Sequence, residues 1–155
     1  MHPQPQDSRG YFMLPQGPEG AGYYVYGTPS RGAGQYAHPA MMNLLVYVER
    51  TWATLDSRKF GIGNISLADG KPYDKHKSHR KGLEVDIRPI RKDGKRQAVY
   101  WQWTDQYDQT ATARLIELVR HFPGVTKIYF NDPALRHLTR PLGGHDHCFH
   151  VEMRG

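Results

Sequence analysis

Two short stretches alternate strictly between apolar and polar residues, and they constrain this chain more than anything else in it. In "LEVDIRPI", Leu83, Val85 and Ile87 alternate with Glu84, Asp86 and Arg88. In "HCFHVEM", Phe149, Val151 and Met153 alternate with Cys148, His150 and Glu152. A period of two sends successive side chains to opposite faces of a strand. Both stretches therefore predict half-buried strands, one face apolar and the other carrying carboxylate, imidazole and thiol groups.

The rest of the chain supplies the partners such strands need. Pro39 suits a first helical turn, and Met41, Leu45, Val48, Trp52 and Leu55 recur along one helical face. A second amphipathic helix is predicted over about Gln109 to Phe122, with Ala111, Leu115, Leu118, Val119 and Phe122 inward. "KFGIGNIS" and "HFPGVTKIYF" hold two more strands, and "ADGKPYD" and "DGK" read as turns. The first 38 residues, crowded with Gly, Pro and Tyr, show no helical period and predict an irregular arm packed on the domain. Few helices among short strands, without regular βαβ alternation, predict an α+β class. The expected architecture is one domain over residues 1–155, with a central, mostly antiparallel sheet, flanking helices and long loops.

Composition narrows the function classes. A chain of 155 residues is one domain by size, and its single cysteine excludes an internal disulfide framework. No run is long and apolar enough to span a membrane, and "MHPQPQDSRG" is not a classical export signal. A net charge of +6 points to an anionic partner, for which nucleic acid and a carboxylate-rich bacterial wall both qualify.

Five of the nine histidines fall in two dense groups, "HKSHRKGLEVD" and "HDHCFH". His79 enters from the loop before its strand, Gly82 permits a tight bend, and Asp86 lies on the strand's polar face, so both can converge on one ion. His150, on the polar face of the last strand, is the obvious third donor, and Cys148 points the same way. By the same alternation His147 points to the Phe149 face. Structural zinc sites favour several cysteines, whereas a mixed His/Asp set with an open position is the catalytic pattern.

These residues carry a resemblance. "SHRKGLEVDI" matches the His-x6-Asp signature of the LAS group of zinc peptidases, and "GHDHCFHVEM" is similar to that group's closing His-x-His strand. With "YYVYGTPS", "HPAMMNLL", "GIGNISLADGKPY" and "HKSH", the chain most resembles the penicillin-insensitive murein endopeptidases, from about Tyr11 to Met153. The resemblance implies hydrolysis of peptidoglycan cross-links such as D-alanine to meso-diaminopimelate. It also implies a Zn2+ cofactor held by His79, Asp86 and His150, and an active-site histidine at His145. His76, Asp146 and His147 are then second-metal or supporting residues, while Asp105 and Asp108 fall in the region of further ligands without mapping clearly onto them.

One position departs from the family. Cys148 stands where the first histidine of His-x-His belongs. Beside zinc a thiol tends to ionise and bind, which would close the open position. Three readings compete: a natural variant whose base role has moved to His145 or His147, a disabling substitution, or a member that binds wall without cutting it. Loss of one general base costs two to four orders of magnitude in rate, so weak or absent activity is expected. A non-catalytic peptidoglycan-binding module and a metal-dependent nuclease are the alternatives, although no nucleic-acid platform is present and nucleic acid is not the expected partner. A wall hydrolase must reach the periplasm or another cell's wall. Without a classical signal the expected routes are phage lysis, a dedicated secretion system, or residence in a longer protein. An injected toxin would require an immunity protein in its producer.

Overall fold

A computed structural model of the chain describes residues 4–73 and 78–155. Among the described residues nine regular elements follow one another: β1 (Phe12–Met13), β2 (Tyr23–Val25), β3 (Tyr36–Ala37), α1 (Pro39–Leu55), β4 (Phe60–Ile62), β5 (Glu84–Arg88), α2 (Gln109–His121), β6 (Val125–Tyr129) and β7 (Phe149–Met153). β1 and β3 form a small antiparallel ribbon, and the other five strands form one mixed sheet in the order β2-β4-β5-β7-β6. Every pairing in that sheet is antiparallel except β2 with β4. Parallel neighbours need a long crossover, and here the chain makes it through β3 and α1. The class is α+β, as expected.

Antiparallel pairing of β5 with β7 sets Asp86 opposite His150, Val85 opposite Val151 and Glu84 opposite Glu152. The apolar residues of both strands, Val85, Ile87, Phe149 and Val151, are fully buried. They share one core with Met41, Leu44, Leu45, Val48 and Trp52 of α1 and with Leu115, Ile116 and Val119 of α2. Burying a side chain of this size contributes roughly 1.5–3 kcal/mol, so a one-residue slip of the β5–β7 register would expose most of that face and is strongly disfavoured.

Both helices start on explicit caps. His38 Nδ1 accepts from the Ala40 N–H at the start of α1, and the Asp108 carboxylate accepts from the Ala111 N–H at the start of α2. Asp108 also pairs with Arg58 at 2.8 Å, and it is not in the grouped ligand atoms of the described residues.

Four expectations need correction. Leu55 is 47% exposed because α1 ends there, and Leu44 takes the inward position instead. In α2, Thr112 and Ile116 are buried while Leu118 and Phe122 lie only at the margin of the core. The strand in "KFGIGNIS" stops at Ile62, after which the buried Gln35 amide donates to the Ile62 and Gly63 carbonyls. The arm over residues 1–38 is not irregular throughout, since β2 adds a strand to the main sheet. Tyr24 and Tyr26 lay their rings over Gly61 and Gly63, where any β-carbon would meet a ring carbon at 2.8 and 2.6 Å. A local pattern cannot reveal that fit between segments almost 40 residues apart.

Candidate metal centre and cavity

The polar face of β5 and β7 forms the floor of a cavity of about 550 Å³. His79, Asp86 and His150 meet there, with one ligand atom from each within 4.8 Å of the others. Each reaches the cavity by a different local device. Asp86 and His150 come from registered partners in neighbouring strands. His79 comes from the loop before β5, in a left-handed backbone conformation (φ 64°) that a non-glycine residue adopts only under tertiary constraint. Gly82, also left-handed at φ 69°, turns the chain from that loop into β5.

The hydrogen bonds fix the tautomer of His79. Its Nδ1 lies 3.0 Å from the Ile65 carbonyl oxygen, which can only accept, so Nδ1 carries the proton and Nε2 faces Asp86 Oδ2 at 3.3 Å. A carbonyl holding one ring nitrogen of a ligand histidine is the usual support for metal binding through the other. His150 is held differently. Its Nδ1 lies 2.9 Å from Asp86 Oδ1, and its Nε2 lies 3.0 Å from Glu84 Oε1 and 3.4 Å from Glu152 Oε1.

Charges follow from these contacts. Burial disfavours a charged imidazole, but hydrogen bonds to Asp86 and Glu84 outweigh it and hold the pKa of His150 up to about 10. Burial likewise opposes ionisation of Glu84, yet the bonds from His150 and from the His79 backbone N–H draw it down to about 2. Asp86 is pulled well below the ordinary carboxylate range by the two imidazoles, again against burial.

The donor set fits a tetrahedral divalent ion. Ligands roughly 2.0–2.1 Å from zinc stand roughly 3.4 Å from one another, and the Asp86 oxygens already lie 3.3 and 2.9 Å from the facing nitrogens of His79 and His150. An ion held there would take the place of the proton on His150 Nδ1, while Glu84 would keep the other ring nitrogen. A second group, Glu84, His150 and Glu152, meets the same spacing but shares His150 with the first.

The remaining sequence candidates divide clearly. His145 lines the cavity, its ring centre 5.7 Å from that of His150. The His145 Nδ1–H is directed at the carbonyls of Gly143 (3.1 Å) and Leu142 (3.3 Å), which leaves Nε2 as the basic nitrogen. Cys148 lines the cavity too, but its sulfur is not among the grouped ligand atoms of the described residues. Burial and the Asp86 carboxylate push its thiol up to about 12, so it is a neutral wall group in the metal-free protein.

His147 also lines the cavity, with its ring stacked on Tyr100 at 5.0 Å, contrary to strict alternation. β7 begins only at Phe149, so alternation does not reach His147. Asp146 accepts from Trp101 Nε1, Gln102 Nε2 and Asn131 Nδ2 at 2.8–3.2 Å, clamping three loop segments rather than facing the ion site. His76 lies outside the described residues.

Glu84 joins the site without having been singled out by its residue pattern, although the alternation that selects Asp86 puts it on the same face. Arg88, next on that face, lies over the Tyr26 ring at 3.8 Å. The Tyr26 hydroxyl beside it is buried without a partner among the described residues.

Against known families, a model described as penicillin-insensitive murein endopeptidase matches residues 10–121, more than half of the chain. That span includes His79 and Asp86 and stops before β6 and β7, so Cys148 and His150 enter the site through strand pairing rather than through the match. No curated protein matches the chain.

Proposed function

Because the chain belongs to the penicillin-insensitive murein endopeptidase family, we propose that it is a zinc-dependent hydrolase of peptidoglycan cross-links such as D-alanine to meso-diaminopimelate. The observation that carries the reading is the convergence of His79, Asp86 and His150 in one cavity. The resulting domain is a single peptidase unit that acts on the cell wall. No helix among the described residues is long and apolar enough to cross a membrane. Delivery by phage lysis or a secretion device, and an immunity partner in a producing cell, belong to the same reading.

A zinc ion held by these three residues would supply Lewis-acid polarisation of the scissile carbonyl and neutralise the charge that develops on it. The chain's own groups do the rest. The Ile65 carbonyl keeps the His79 proton on Nδ1 and so directs Nε2 into the cavity. Glu84 holds the outer nitrogen of His150 and the His79 backbone at once, which fixes two ligands by one carboxylate. His145 lines the cavity with its Nδ1–H held by backbone carbonyls, which leaves Nε2 to accept a proton, and it is the group assigned to carry that proton towards the departing amine. Cys148, neutral at neutral pH in the metal-free site, does not supply the base that its position calls for.

That last point favours one second reading, a wall-binding protein that retains the ion and releases no fragments. Digestion of purified diaminopimelate-type peptidoglycan separates the two. The chain and its Cys148→His version are incubated with and without chelator, and the products are read by mass spectrometry. Metal-dependent conversion of cross-linked dimers to monomers by the histidine version is the expected result. No cleavage by either version sinks the endopeptidase reading.

A further inference from the structure

Three arginines of the domain are neutralised in place. Arg9 pairs with Asp7, Arg58 with Asp56 and Asp108, and Arg91 with Asp93, all at 2.7–2.8 Å. Arg88 is different. It lines the cavity that holds His79, Asp86 and His150 and also the neighbouring groove formed with Gln16, Gly17 and Arg96. No carboxylate pairs with it among the described residues. Its guanidinium instead lies over the Tyr26 ring, 3.8 Å from the ring centre, and donates to the Tyr24 hydroxyl. With one N–H directed at the Tyr24 hydroxyl the guanidinium still has further N–H donors, and its planar fork matches a carboxylate bidentately. The stack also removes much of the side-chain freedom that binding would otherwise freeze.

Its place along the strand gives the ligand's dimensions. Arg88 and Asp86 are two residues apart on one face of β5, about 7 Å at the Cα positions. An acceptor for Arg88 must therefore carry an anionic group within about one residue of the bond to be cut. In a cross-link to diaminopimelate, the carbon bearing the scissile nitrogen also bears a free carboxylate. A cross-link to lysine, or one to amidated diaminopimelate, lacks that charge.

We propose that Arg88 is a specificity-determining residue that binds the free carboxylate of the substrate residue on the amine side of the scissile bond. This rests on the endopeptidase reading above but makes a separate demand on binding.

The test measures dissociation constants of the zinc-loaded full chain for two cross-linked peptides that differ only in that carboxylate or its carboxamide. The expected result is at least about tenfold tighter binding of the carboxylate form, the size of one charge-assisted pair. Arg88→Gln should reduce that preference to within about twofold, and Arg88→Lys, a point charge without the fork, should keep part of it. Thermal unfolding of each variant checks that the fold is intact. Equal binding of the two peptides by the unsubstituted chain, a preference that survives Arg88→Gln, or no binding of either peptide would each overturn the assignment. Hydrolysis of the same peptides by the Cys148→His chain is scored separately. Its absence counts against the endopeptidase activity, while the binding constants decide the carboxylate site.

Discussion

His150 and His145 stand 5.7 Å apart, ring centre to ring centre, yet they are held in opposite ways. His150 projects from a strand paired on both sides, and both its ring nitrogens face carboxylates. His145 sits in the turn before β7, anchored through Nδ1 to carbonyls two and three residues back. On the proposed reading the difference separates two tasks. A metal ligand needs a fixed position and an acceptor that holds the ring nitrogen not bound to the ion, and a doubly paired strand provides the first while Glu84 provides the second. A proton carrier needs one basic nitrogen open to the cavity, and a turn provides that.

The comparison breaks most completely at Asp86, whose carboxylate faces a ring nitrogen of each ligand histidine. Asp86→Ala should abolish stoichiometric zinc binding and all hydrolysis, and should destabilise the protein by a few kcal/mol because two buried imidazoles lose their shared partner. His145→Ala, in contrast, should leave zinc stoichiometry unchanged. Metal analysis of both purified variants is decisive, since a full zinc equivalent retained by Asp86→Ala would remove the strand wall from the site. In the Cys148→His background, His145→Ala should still lower turnover by about two to four orders of magnitude. The same range is expected for the gain on Cys148→His itself, read as release of muropeptide monomers.

How much of this the sequence discloses depends on whether the relevant geometry is local. Alternation in 83–88 and 149–153 is local, so the strands, their faces and the convergence of Asp86 with His150 are legible in the order of residues alone. The limits of alternation are less so. His147 lies two residues outside β7, and only the folded chain shows that the pattern stops short of it. Leu55 fits the helical period, but the backbone turns away at Asp56. The strands of the first 38 residues depend on Tyr rings meeting distant glycines, which leaves no periodic trace. Glu84 is visible on the polar face of its strand but carries no signal there, because a carboxylate on such a face is ordinarily solvated and only the pairing across to β7 gives it His150.

Glu84 therefore sharpens the comparison at smaller amplitude. It contacts both ligand histidines, one through its backbone N–H, without joining the His79, Asp86 and His150 group. Removing the carboxylate partner of a ligand histidine costs about 10–100-fold in metal affinity. Glu84→Gln should fall in that range by competition with a chromophoric chelator, with zinc stoichiometry at saturation unchanged. A loss as complete as that of Asp86→Ala would make Glu84 a ligand in its own right.

The smallest effect expected is on stability as a function of pH. In the metal-free protein His150 has its pKa raised from 6.5 to about 10. Its contribution is therefore complete below about pH 6.5 and is lost as the pH rises towards 10. Glu84 is shifted the other way, from 4.5 to about 2, so its contribution is complete above about pH 4.5 and is lost as the pH falls through 2. Asp86 shares that lower limb. The metal-free chain should thus be most stable between about pH 4.5 and 6.5, with Tm falling by several degrees towards pH 9. On the proposed reading zinc would replace the proton that His150 loses on that upper limb, so the Tm of the loaded chain should hold where that of the metal-free chain declines, and the gap between them should widen from pH 6 to 9. A gap that stays constant over that range would mean that zinc binding displaces no proton from His150. The strand-held histidine would then be no more a ligand than His145 in its turn.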